Sequence, residues 1–174
     1  MADDIVPDTK NWTWVLERPC PDCGYNGPSF DVAASGATLR DLATRWQQVL
    51  QRDDVTQRPR PDKWSGLEYS CHVRDVFRLF AMRLTLMLTE DDPEFQNWDQ
   101  DEAAITDDYA HQNATTVAAQ LRSAAEALAD RFDSVSPDQW SRRGLRSDGS
   151  SFTVETLSRY LIHDPVHHLW DVQG

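Results

Sequence analysis

The pattern P-D-x-W-S occurs twice in this chain, as Pro61-Asp62-Lys63-Trp64-Ser65 and as Pro137-Asp138-Gln139-Trp140-Ser141. Each copy follows one amphipathic stretch and precedes another that carries histidine. Proline lacks an N–H and its ring clashes with the preceding turn, so each copy marks a gap between helices. Two helix–gap–helix units are what a duplicated helix pair leaves behind, and two such pairs close into a four-helix bundle.

The apolar spacing supports this. Over residues 37–51, Leu39, Leu42, Trp46, Val49 and Leu50 form a helical stripe. Over 66–89, Ser65 and Glu68 make a capping-box pattern, and Val73, Val76, Phe77, Phe80, Ala81, Leu84 and Leu88 supply a broad apolar face. Over 114–132, Val117, Leu121, Ala124, Leu128 and Phe132 repeat at three and four. The last helix starts at Thr153, a suitable N-cap, and runs to about Val172. Val154, Leu157 and Leu161 form one line along it; Tyr160, His163, His167 and Trp170 form another. Pro165 is expected to kink this helix while keeping His163 and His167 on one side. Residues 90–112 are acidic and too long for a tight turn, so they read as a crossover or a loop with its own role. Residues 142–151, with Gly144 and Gly149, read as a loop. The expected fold class is all-α: a four-helix bundle over 36–174, with 1–35 as an irregular extension packed on it.

Composition limits the function. The net charge is −12, which would repel a phosphate backbone, so a nucleic-acid partner is not expected. Hydrophobic residues are 40% and no long apolar run exists, so no membrane span is expected. Met1-Ala2-Asp3-Asp4-Ile5 lacks a basic-then-apolar leader, which makes the cytoplasm the expected location. The three cysteines do not indicate a disulfide framework. Cys20-Pro21-Asp22-Cys23-Gly24 reads as a tight turn. A zinc knuckle would need a second cysteine pair, and only Cys71 remains, beside His72; a redox pair would need a strand–helix context. The pair is therefore read as a structural turn with buried or reduced thiols.

His163 and His167 are four residues apart, a spacing that stacks two imidazoles on one helical face. With His72 from the second helix they make three nitrogen ligands for a divalent metal, and three ligands leave one coordination position open. Glu68 precedes His72 by one turn, and Asp171 follows His167 by one turn. Either could orient a ligand or take a proton, although a capping carboxylate and a solvated helix end are the ordinary readings. His168 reads as a neighbour of the site, and His111 has no evident partner. There is no G-x-S-x-G elbow and no glycine-rich phosphate loop.

Trp64-Ser65-Gly66-Leu67-Glu68 leading to His72, the gap of roughly ninety residues, the closing His163-x-x-x-His167 and the acidic Asp92-Pro93 to Trp98-Asp99 segment together resemble the DinB-like superfamily, which includes mycothiol-dependent maleylpyruvate isomerases. The resemblance covers about 37–172. It implies an up-down-down-up bundle, a three-histidine site for zinc or nickel, and a homodimer. For some members it implies thiol S-transferase or isomerase chemistry on a small-molecule substrate, with a low-molecular-weight thiol as co-substrate. Alternatives are a non-catalytic metal-binding or stress-associated protein and a metal-dependent hydrolase. The Cys20–Cys23 region and Pro165 depart from the minimal pattern.

Overall fold

The computed structural model describes residues 5–174. Four long helices pack around one core: α1 (Ser35–Leu50), α2 (Gly66–Thr89), α4 (Ala114–Asp133) and α5 (Val154–Asp171). A short helix, α3 (Gln100–Thr106), lies in the acidic crossover. The apolar stripes face inward as their spacing requires: Leu39, Trp46, Phe77, Leu84, Leu121, Leu128 and Leu157 are all fully buried. On α4 the buried alanines are Ala125 and Ala129, with Ala124 at the edge.

Side-chain contacts fix the helix directions. The start of α1 meets the start of α5 through Ser35 Oγ and Ser158 Oγ, 2.6 Å apart, so these two helices are parallel. The end of α1 meets the start of α4, where Gln47 donates to the Ala118 carbonyl. Arg74 bonds Gln120 at the start of α2 and α4, and Arg131 bonds Thr85 at their ends. In chain order the four long helices therefore run up, down, down, up.

The helix starts are built by caps. Ser65 accepts from the Glu68 amide while the Glu68 carboxylate accepts from the Ser65 amide, a complete capping box. Asn113 caps α4 and Thr153 caps α5. The end of α2 is closed by Arg142, whose guanidinium donates to the Met87 and Glu90 carbonyls. α5 continues through Pro165 without a break, although Pro165 has no N–H to give to the Leu161 carbonyl.

A small sheet corrects the all-α expectation. β1 (Glu94–Phe95) pairs in parallel with β2 (Arg143–Arg146), which forms a hairpin with β3 (Ser151–Thr153). The loop expected at 142–151 is this hairpin, turned at Gly149 with φ +92°. Its inward positions are Gly144, Arg146 and Phe152, so Phe152 alone is a large apolar side chain and no apolar alternation marks it. The two P-D-x-W-S copies also diverge. Ser65 caps α2 directly, whereas Gln139–Ser141 forms a 3-10 turn and the hairpin separates it from α5.

The N-terminal segment crosses α5 as 3-10 turns, Trp12–Leu16, Gly27–Ser29 and Val32–Ala34, with Val15 fully buried. Gly27 sits so close to the chain that an added Cβ would lie 2.3 Å from the Val15 carbonyl oxygen. No helix among the described residues is long and apolar enough to cross a membrane.

Two substitutions test this architecture. Gly27→Ala forces backbone against backbone; it should loosen residues 12–29 toward proteolysis at a rate well above wild type while leaving most helicity in circular dichroism. Glu68 is buried and ion-paired with Arg58, which holds its carboxyl below the usual range against the opposing effect of burial. A depressed carboxyl contributes stability above its unfolded value, 4.5, that is lost as pH falls through the folded value. Glu68→Gln should cost about 1–3 kcal/mol near neutral pH in denaturant melts, and the gap to wild type should narrow in acid.

Candidate metal centres

Consecutive residues on a helix point about 100° apart. On α5 this places two i,i+4 pairs side by side: His163 with His167, and Asp164 with His168. Among the described residues, two groups of metal-ligating side chains result. His72, Asp164 and His168 form one; Cys20, Cys23, His163 and His167 form the other. In each group, one ligand atom per residue lies within 4.8 Å of all the others. His72, expected to complete the His163–His167 pair, lies instead with the second pair of α5. His168, read from the sequence as a bystander, is part of that group, and Asp164 was not anticipated.

In the first group, His72 Nε2 lies 3.2 Å from Asp164 Oδ2, and His168 Nε2 lies 3.9 Å from the same oxygen. His72 is 1% exposed, stacked on Trp98 at a ring distance of 5.5 Å and flanked by Trp64. Two buried polar atoms here have no hydrogen-bond partner: His72 Nδ1 and Asp164 Oδ1. Such atoms are costly unless something satisfies them. Burial would raise the Asp164 carboxyl, but the His72 and His168 imidazoles outweigh it and hold it at about 2. Burial alone would lower His168, but Asp164 and Asp171 raise it above the ordinary value.

Asp171 organises both pairs. Its Oδ2 lies 2.9 Å from His168 Nδ1 and 3.9 Å from His167 Nε2, while Oδ1 pairs with Lys63 Nζ at 3.1 Å. It is thus a carboxylate that orients imidazoles, one of the two readings open from its position. Glu68 is bound by Arg58 and Ser65. His111 is exposed and pairs with Asp108.

In the second group, Cys20 Sγ lies 3.6 Å from His167 Nδ1. His163 is 4% exposed and its Nε2 has no partner. Burial and the neighbouring His167 push His163 down to about 4, so it is a neutral imidazole near neutral pH. All three cysteines are free thiols.

His72, Asp164 and His168 line a cavity of about 430 Å³ together with Arg83, Arg146 and Tyr160, and His163 and His167 also reach its lining. Trp98, Asp99, Asp101 and the segment Pro7 to Trp12 complete its rim. Arg83 is pushed down to about 10 by burial and by the charge of Arg146, and its Nε is buried without a partner. Two histidines, one carboxylate and an open cavity make a donor set suited to a divalent ion, and the unpartnered Asp164 Oδ1 fits that role.

The comparisons with known proteins agree with this picture at the level of fold and family. The chain is similar to a solved structure titled "YfiT from Bacillus subtilis is a probable metal-dependent hydrolase with an unusual four-helix bundle topology". The two share 18% sequence identity with a TM-score of 0.72, over 82% of this chain and 84% of that one. No curated protein matches the chain. The DinB superfamily matches residues 37–172, which takes in all four bundle helices, and the chain belongs to the DinB superfamily.

Proposed function

We propose that this protein is a metal-dependent enzyme acting on a small anionic electrophile, with thiol S-transfer or isomerisation as its reaction type. His72, Asp164 and His168 would hold the metal. The observation that carries the reading is the convergence of His72, Asp164 and His168, one ligand atom of each within 4.8 Å of the others, with Asp164 Oδ1 buried and unpartnered, at an open cavity. A non-catalytic site would not need such a cavity.

A divalent ion with three protein ligands keeps a position for a small molecule and lowers the pKa of a bound thiol or water. The chain's own residues supply the rest. Asp171, anchored by Lys63, accepts from His168 Nδ1 and so leaves Nε2 facing Asp164. Trp98 and Trp64 hold the His72 ring and keep water from its faces. In the same cavity, Arg83 donates to the Gln96 carbonyl through Nη2, and its Nε is left for a substrate anion. Arg146 is partly neutralised by Asp148 and reaches Tyr160 Oη. An anionic group held there would place the rest of a small substrate toward His72.

Glu68 and Asp171 are both committed to other partners, which favours a thiol over a water nucleophile that needs a free base. Hydrolysis is a second reading with its own support. Asp101 lines the rim, and burial together with the Asp99 charge raises its carboxyl, as befits a proton acceptor. The similarity to YfiT, described as a probable metal-dependent hydrolase, points the same way.

Cobalt-loaded protein titrated with mycothiol and bacillithiol should show a change in its visible spectrum that disappears in His72→Ala. No change with either thiol, together with ester or amide hydrolysis that Asp101→Asn lowers, would select hydrolysis instead. Arg83→Gln should raise KM for carboxylate-bearing substrates about tenfold or more with a smaller change in kcat, since it removes binding rather than chemistry.

A further inference from the structure

Four ligand-type side chains remain that the chemistry above does not use. We propose that Cys20, Cys23, His163 and His167 form a tetrahedral zinc site that clips the N-terminal segment to α5.

The geometry comes from two unrelated pieces of chain. Cys20-x-x-Cys23 is wound into a tight turn: the Gly24 amide donates to the Cys20 carbonyl, the Cys20 amide donates to the Tyr25 carbonyl, and Gly24 takes φ +76°. That left-handed φ suits glycine, and the turn brings both sulfurs to one side. His163 and His167 arrive one turn apart on α5. Together they give two sulfurs and two nitrogens, each within 4.8 Å of the others. Cys-x2-Cys with His-x3-His is a ligand spacing of structural zinc sites, and the soft sulfur pair selects zinc over harder ions.

A second observation points to a ligand independently of the clustering. His163 is almost wholly buried, yet its Nε2 has no hydrogen-bond partner. A disulfide between the two cysteines would leave that nitrogen unsatisfied; a metal bond satisfies it. Four protein ligands fill a tetrahedron and leave no place for substrate, so the site is structural. On binding, two thiols give their protons to solvent, and two metal–sulfur and two metal–nitrogen bonds form with no change of oxidation state. Asp171 sits 3.9 Å from His167 Nε2 and orients that ring from behind. Trp12 covers the rings of His163 and His167 at 5.3 and 5.0 Å. The clip therefore also seats the Pro7 to Trp12 rim of the cavity.

The test is cobalt and zinc loading of the reduced, metal-stripped full chain. Cobalt should give the near-ultraviolet sulfur-to-metal charge-transfer band of thiolate ligation and the intense visible bands of a tetrahedral centre. Cys23→Ser should lose the charge-transfer band, and zinc analysis should fall by about one ion per chain. His72→Ala should keep the band, which separates this site from the one at His72, Asp164 and His168; if that other site fails to bind metal, this band is still expected. Without any substitution, zinc should protect Cys20 and Cys23 from alkylation at least tenfold. Absence of the band in fully reduced protein, unchanged zinc content in Cys23→Ser, or alkylation rates indifferent to zinc would each overturn the proposal.

Discussion

The angular offset between neighbouring residues on α5 is the constraint on which both centres depend. One step along the helix turns the side chain by about 100°, and one turn brings it back to nearly the same face. The segment His163 to His168 therefore carries two ligand pairs that look at different parts of the molecule. Asp164 and His168 look at α2, where His72 waits on the inner face. His163 and His167 look at the N-terminal segment, where the two cysteines lie. Pro165 sits between the pairs without disrupting either, because the helix runs through it.

The packing around α5 keeps these directions fixed. Leu157, Leu161, Ile162 and Leu169 are buried on its core side, so the helix cannot roll without exposing them. Burial of one such side chain contributes roughly 1.5–3 kcal/mol, and several together make rotation prohibitive. Asp171 adds an electrostatic tie at the end of the helix, touching His168, His167 and Lys63. The N-terminal segment then closes the remaining side with aromatic rings.

Periodicity made the bundle readable before any coordinates, because each long helix buries a stripe that recurs every three or four residues. Ser65 with Glu68 and Thr153 showed their caps for a similar reason: the chemistry of a helix start is local. The sheet was not readable, since its strands are two to four residues long and the buried positions of the hairpin are a glycine, an arginine and one phenylalanine. His72 stood out as a ligand-type residue, but its partners did not. A search for repeated histidine selects His163 and His167, whereas the residues facing His72 are Asp164 and His168, a mixed pair that no histidine pattern reveals. The Cys20 and Cys23 turn was legible as a turn. What it faces was not, because the partners of a turn are set by how the whole chain returns upon itself.

That return has a consequence for the order in which the molecule can assemble. Cys20 and His167 are 147 positions apart, so the contact joins two segments that are synthesised far apart in time. Closing so wide a loop in a flexible chain costs on the order of 4 kcal/mol of entropy. The bundle helices bring the ends together and remove most of that cost before the contact forms. The segment that carries Cys20 and Cys23 is made before α5 and must therefore wait, unseated and with its thiols exposed to the surroundings, until α5 has docked.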